Sequence, residues 1–175
     1  MASNLRLVCH TSLEDPSGSL LKRVCYPEKN HFSTPAIRYG IENEPRAFDA
    51  YTALATAAHD EVTFRRPGLT IAKGRPFLAA TFDLLVDCSC CGKGVPELKC
   101  PYKLRNAPLK SAAKEKDSCI NLADDGYLAL KETHAYYYQV QLQMFACNVE
   151  YADFVLWISQ THVKRILPGT HSCAL

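Results

Sequence analysis

The chain reads as a single α/β domain, a mixed β-sheet flanked by helices. Three observations predict that class. Two segments, 34–58 and 134–148, place apolar residues at helical spacing behind a capping threonine. Between them, residues 61–100 form a series of short apolar or β-branched runs bounded by Gly and Pro. After the second helix, Ala152 to Ser159 is an apolar run of strand length. At 175 residues the chain suits one domain with a real core, and its 47% hydrophobic and 22% charged content excludes a disordered tail.

Residues 1–33 form an irregular lead-in, with a turn at Asp15-Pro16-Ser17-Gly18 and a short helix near Leu20 to Val24. Thr34-Pro35 is an N-cap followed by proline at the first helical position, which starts the first helix. At 100° steps Ile37, Ile41, Ala47, Phe48, Tyr51 and Leu54 gather into one apolar arc, with Glu44 in its middle. Pro45 kinks this helix or restarts it with Glu44 as cap. Val62 to Phe64, Thr70 to Ala72, Phe77 to Val86 and Gly94 to Lys99 read as consecutive antiparallel strands, with Cys88 to Lys93 as the last loop. Residues 101–120 are a polar, lysine-rich surface loop, and Asp124-Asp125-Gly126 turns a small hairpin within 122–130. Thr133 caps the second helix, Ala152 to Ser159 is a buried strand, and His162 to Leu167 is an edge strand before a tail at 168–175. The folded domain therefore spans 34–167.

A net charge of +2 announces no nucleic acid, so any binding to it requires positive charge gathered along one groove. The apolar stretch after Met1 is too short for a signal core or a membrane span. The nine cysteines are accordingly expected as reduced thiols in an intracellular protein, in the nucleus or the cytoplasm, with no membrane partner.

Glu97 and Lys99 alternate with Leu98 along one strand, so the two charges share a face about 7 Å apart while Leu98 points to the core. Most such triplets are surface ion pairs. Here the preceding strand places one acid, Asp83, inside the apolar run from Phe77 to Val86, where an isolated carboxylate needs a cation or hydrogen-bond donors. Glu44 poses the same problem on its helix. Carboxylates set against local hydrophobicity beside one lysine suit a magnesium site, with lysine orienting a water or offsetting phosphate charge. A structural ion-pair network fits the spacing equally. On the second helix Tyr137, Tyr138, Gln141, Met144 and Phe145 share a face, with Gln139 and Gln143 outside it. An inward amide there either serves the site or is a hydrogen-bonded core residue.

Four blocks in order, Gly40-Ile-Glu-Asn-Glu44-Pro45, Phe77-Leu-Ala-Ala-Thr-Phe-Asp83, Gly94-Val-Pro-Glu97-Leu-Lys99-Cys-Pro-Tyr102 and Tyr136-Tyr-Tyr-Gln-Val-Gln141, resemble the YqaJ-type viral recombinase domain. That family is similar to the exonuclease of phage lambda and belongs to the PD-(D/E)XK nuclease superfamily. The terminal Ala152 to Trp157 strand matches as well, so the resemblance covers 34–167. It implies a restriction-endonuclease-like core and a metal-dependent deoxyribonuclease, an exonuclease acting on linear duplex DNA in recombination or repair. Asp83, Glu97 and the Leu98 carbonyl would ligate magnesium or manganese, Lys99 would be the catalytic lysine, and Glu44 would complete the site. Gln141, with Gln139 as the second choice, would be the helix glutamine near metal or substrate. Duplex ends, a recombination partner protein and a homo-oligomer are the implied partners. Ala80-Thr81-Phe82-Asp83-Leu84 departs from the family's Ser-Pro-Asp-Gly, which puts the strand bend that aims Asp83 in question.

Lys103, Arg105 and Lys110 follow the Glu97–Lys99 strand and read either as phosphate contacts or as a solvated loop balanced by Glu115 and Asp117. Cys88, Cys90 and Cys91 are dense enough for zinc, with Cys100 or Cys119 to complete a set, yet no histidine lies near them in sequence. Two rival functions remain: a catalytically inactive DNA-binding module of the same fold, and a zinc-stabilised interaction domain.

Overall fold

The structure is a computed structural model that describes residues 15, 18–19, 34–106, 108–122, 128–158 and 161–166, with 109 and 161–166 described for their backbone alone. The rest of the lead-in, including the helix expected near Leu20, and the tail lie outside the described residues.

Helix α1 (Pro35–Ala58) begins where the sequence places it. The Thr34 hydroxyl accepts the Ile37 N–H at 3.2 Å, and Pro35 occupies the first turn. The helix runs unbroken through Pro45, which is exposed, as is Ile41, whose carbonyl the proline deprives of a donor. Water can serve that carbonyl, so no restart occurs. The buried face is Asn43, Ala47, Tyr51 and Ala55. A four-residue spacing advances 400°, so this stripe drifts around the helix. Ile37, Ile41 and Leu54 consequently remain exposed, and Glu44 lies beside the buried stripe instead of within it.

The main sheet has order β1-β4-β5-β8-β9, from β1 (Thr63–Arg65), β4 (Leu85–Cys88), β5 (Gly92–Lys99), β8 (Tyr151–Trp157) and β9 (Thr161–Ile166). Only β5 and β8 pair in parallel, so the sheet is mixed. Strands β2 (Thr70–Ile71) and β3 (Ala79–Ala80) form a separate ribbon, and β6 (Ile120–Leu122) and β7 (Leu128–Leu130) pair antiparallel, with the turn expected at 124–126 outside the described residues. The long run from Phe77 to Val86 is thus two strands, β3 in the ribbon and β4 in the main sheet, with 81–84 irregular between them. A 3₁₀ turn (Tyr102–Leu104), the short helix α2 (Leu109–Ala112), the β6–β7 pair and helix α3 (Ala135–Cys147) connect β5 to β8. The cap of α3 is His134, whose Nδ1 accepts the Tyr136 N–H at 3.2 Å; Thr133 precedes it. Asn148, in the left-handed region, ends that helix.

Each face of the sheet has its own core. Leu84, Leu98 and Val155 pack under α1 with Ala47, Tyr51 and Ala55. Val95, Ala152, Phe154 and Leu156 pack under α3 with Val140 and Met144. Strand alternation sorts the residues: Leu98 goes to the α1 side, while Glu97 and Lys99 face α3.

Candidate active site

Asp83 sits at the bend between β3 and β4. Phe82 is buried in the core under α3 and Leu84 in the core under α1, so two neighbours in the chain anchor on opposite faces of the sheet. Those anchors hold the bend without the proline or glycine of the family pattern. The Asp83 carboxylate then reaches β5: Oδ2 accepts the Leu98 N–H at 2.9 Å. It can do so because β4 pairs with β5 only over Gly92–Gly94, and the rest of that edge of β5 is open. Backbone groups on one edge recur every second residue, so Pro96, which has no N–H, presents its nitrogen to the same open edge and loses no bond.

Glu97 is only 2% exposed, and its donors among the described residues are side chains. Its Oε1 accepts from Lys99 Nζ and from Gln139 Nε2, and its Oε2 accepts from Gln143 Nε2 at 2.6 Å. Burial pushes the Glu97 carboxyl up, Lys99 pulls it down, and the Asp83 charge pushes it up again, for a net rise above the ordinary carboxylate value. Lys99 is its counterpart. Burial disfavours the ammonium, but Glu97, Tyr136 and Asp83 outweigh burial and hold it above the ordinary lysine value, so it is a cation. Its Nζ lies 4.8 Å from the centre of the Tyr136 ring on α3.

A carboxylate offers about four lone-pair positions, and three of those on Glu97 are taken. Asp83 Oδ1 has no partner among the described residues, and the Gln143 carbonyl oxygen is buried without a hydrogen bond. Two carboxylates that repel each other, spare oxygen lone pairs and an orphaned buried oxygen fit a hydrated hard cation. In a strand the N–H and C=O of one residue point the same way, so the Leu98 carbonyl is turned to the side that Asp83 occupies.

The other expected residues are placed less centrally. Glu44 is exposed on α1, and its charge is felt at the Cys100 thiol, which burial, then Glu44 and Asp83, push up to about 11. Gln141 is the first choice for the helix glutamine and Gln139 the second. The amides that meet Glu97 are Gln139 and Gln143, one helical turn apart, and Gln141 is turned roughly 200° from each. Helix α3 is apolar around much of its circumference, so periodicity could not choose its inward face. Of the basic residues, Lys103 pairs with Asp117 at 3.7 Å with both side chains exposed. Arg105 lies 3.7 Å from the Tyr102 ring centre and donates to the Tyr102 carbonyl, and Lys110 is exposed on α2. The six cysteines of the described residues form no disulfide, and no described helix is long and apolar enough to cross a membrane.

A family model described as YqaJ-like viral recombinase domain matches residues 1–150. In fold the chain is similar to the crystal structure of LHK-Exo in complex with dAMP, with TM-score 0.63 at 20% identity over 96% of this chain and 76% of that one. It is also similar to that of an alkaline exonuclease, LHK-Exo from Laribacter hongkongensis, with TM-score 0.60 at 19% identity over 95% and 76%. No curated protein sequence matches it.

Proposed function

The chain belongs to the YqaJ-like viral recombinase domain family, and on that premise we propose that it is a metal-dependent deoxyribonuclease, an exonuclease acting on the ends of linear duplex DNA in recombination or repair. The observation that bears most weight is the buried Glu97, held by Lys99, Gln139 and Gln143 beside the bend at Asp83. The structural neighbour LHK-Exo is an alkaline exonuclease, which agrees with this reading.

Asp83, the open lone pair of Glu97 and the Leu98 carbonyl would hold magnesium or manganese, with Glu44 closing the site from α1. When bound, the ion supplies Lewis-acid polarisation of the scissile phosphate and a more acidic water. Lys99 remains a cation, so its work is to donate to a phosphate oxygen or to orient the attacking water, and to offset the charge that builds in the transition state. Gln139 and Gln143 fix the Glu97 carboxylate, and Gln143 ties it to the bend by also donating to the Thr81 carbonyl at 3.0 Å. Lys103, Arg105 and Lys110 would contact backbone phosphates of the bound strand.

The test is loss of label from an end-labelled linear duplex in magnesium or manganese. Lys99→Ala and Glu97→Gln should each slow it by at least about a hundredfold, the scale of losing one transition-state donor. Wild type no faster than Lys99→Ala, while still binding duplex, would leave the inactive DNA-binding module.

A further inference from the structure

The cysteine cluster has no part in the chemistry above, and its surroundings differ from what its sequence neighbourhood suggests. Strand β4 ends at Cys88, Cys90 and Cys91 lie in the tight turn, and Gly92, at φ 71°, opens β5. The end of α1 approaches this turn. His59 is the C-cap of that helix, and its Nδ1 lies 3.2 Å from Cys90 Sγ and 3.5 Å from Cys91 Sγ. Cys90 Sγ is 3.6 Å from Cys88 Sγ and 3.7 Å from Cys91 Sγ. All four potential ligand atoms lie within 4.8 Å of one another.

We propose that His59, Cys88, Cys90 and Cys91 form a structural zinc site that ties the end of α1 to the β4–β5 turn. With zinc–sulfur bonds of about 2.3 Å and zinc–nitrogen bonds of about 2.0–2.1 Å, a tetrahedral site has sulfur–sulfur edges near 3.8 Å and sulfur–nitrogen edges near 3.5 Å. Four of the six separations, 3.2 and 3.5 Å to nitrogen and 3.6 and 3.7 Å between sulfurs, are already close to those edges, and the other two lie within 4.8 Å. Three thiolates and an imidazole are soft and borderline donors that select zinc over magnesium, and four protein ligands leave no open position, so the site is structural and not catalytic. Cys100 and Cys119 do not complete it. Cys100 packs under α1 and Cys119 is buried under α3.

The ligands are held in place by bonds that need no ion. The Asp60 carbonyl, next to His59, accepts both the N–H of Ser89 at 3.1 Å and its hydroxyl at 3.2 Å. The His59 N–H is fixed on the Ala55 carbonyl at 3.0 Å. Cys88 is buried, whereas Cys90 and Cys91 are exposed, which gives an ion a path in. The site is also remote from the acidic centre. Glu97 lies five residues along β5 from Gly92, roughly 16 Å at strand rise, so the two places cannot share one ion.

The full chain, purified under reducing conditions without chelator, should contain about one zinc per molecule by elemental analysis. Replacement by cobalt should give the absorption of a tetrahedral ion together with thiolate-to-cobalt charge transfer. Cys90→Ser with Cys91→Ser should abolish both, His59→Ala should weaken zinc at least about tenfold, and Glu97→Gln should leave zinc unchanged. That last arm separates this site from the nuclease reading, which can fail on its own. If the double variant does not fold, the cobalt spectrum of the intact protein decides. Zinc-free protein with Cys88, Cys90 and Cys91 all freely reactive after zinc is supplied would overturn the proposal. So would zinc retained in full by the folded double variant.

Discussion

Glu97 is a carboxylate withdrawn from water and given three donors, two of them amides from one face of α3. Because Gln139 shares Oε1 with Lys99 while Gln141 is turned away, the two glutamines should separate cleanly in kinetics. Gln139→Ala is expected to slow metal-dependent degradation of labelled duplex by about 10–100-fold, as for groups that orient a ligand, and Gln141→Ala to leave it within about twofold. Equal losses in both variants would refute the assignment. Asp83, Glu97 and Lys99 stood out in the sequence as charges inside an apolar run or on one strand face, and the family-like blocks around them, not their spacing, gave them a catalytic reading. The partnering amides were not legible, since α3 hides little of its circumference in polar residues. Nor was His59, whose proximity to Cys90 across 31 positions arises only when α1 and the hairpin are docked.

Among the elements, α1 and α3 are held by different kinds of cap. The Thr34 hydroxyl is indifferent to pH, but His134 accepts from Tyr136 only while its Nδ1 is unprotonated. Burial, then Lys131, hold His134 below its ordinary value. A base with a lowered folded pKa binds fewer protons when folded, so its stabilisation is complete above the unfolded value near 6.5 and is lost as pH falls through the folded value. Between pH 7.5 and 5, wild type should therefore lose stability relative to His134→Ser, which caps at every pH, by about 1 kcal/mol. Parallel denaturation profiles over that range would exclude it. In β5 the close approach is at Gly94, where an added Cβ would lie 2.1 Å from a ring carbon of Tyr151 on β8. Gly94→Ala should cost about 1–3 kcal/mol of unfolding free energy, and Tyr151→Ala in the same chain should recover part of that. The two long helices followed from caps and periodicity, but the strands of 61–100 do not pair consecutively as expected: β1 pairs with β4, and β2 pairs with β3 in a separate ribbon. The break of 77–86 into two strands did not follow either, because Phe82 and Leu84 look like one apolar face until each is assigned to its own core.

At the scale of the molecule, two helices sandwich a mixed sheet, and the acidic centre lies where β4 leaves the edge of β5. The Tyr51 hydroxyl donates to Asp153 at 2.8 Å, so α1 is tied to the interior strand β8 by a buried polar contact as well as by apolar packing. With a net charge of only +2, binding to DNA requires basic residues gathered on one face. If Lys103, Arg105 and Lys110 are those residues, log K should fall against log salt with a slope of about −3, and Lys110→Ala should reduce that slope by about one. A slope unchanged by Lys110→Ala would remove that residue from the interface. Inhibition by a chelator needs care in such a protein. If both proposed sites hold metal, a chelator would strip an ion at Glu97 and zinc at the far end of the same strand, and restoring magnesium alone would distinguish the two.

The open edge of β5 has one more consequence. An unpaired strand edge normally invites a foreign strand to add to the sheet. Here the Leu98 N–H is already taken by Asp83 and Pro96 has none to offer, so two successive positions on that edge cannot donate to an incoming chain. The contact that seats Asp83 against β5 also blocks strand addition along this edge. Substituting Pro96 by a residue with an N–H, together with Asp83→Ala, would remove both safeguards at once.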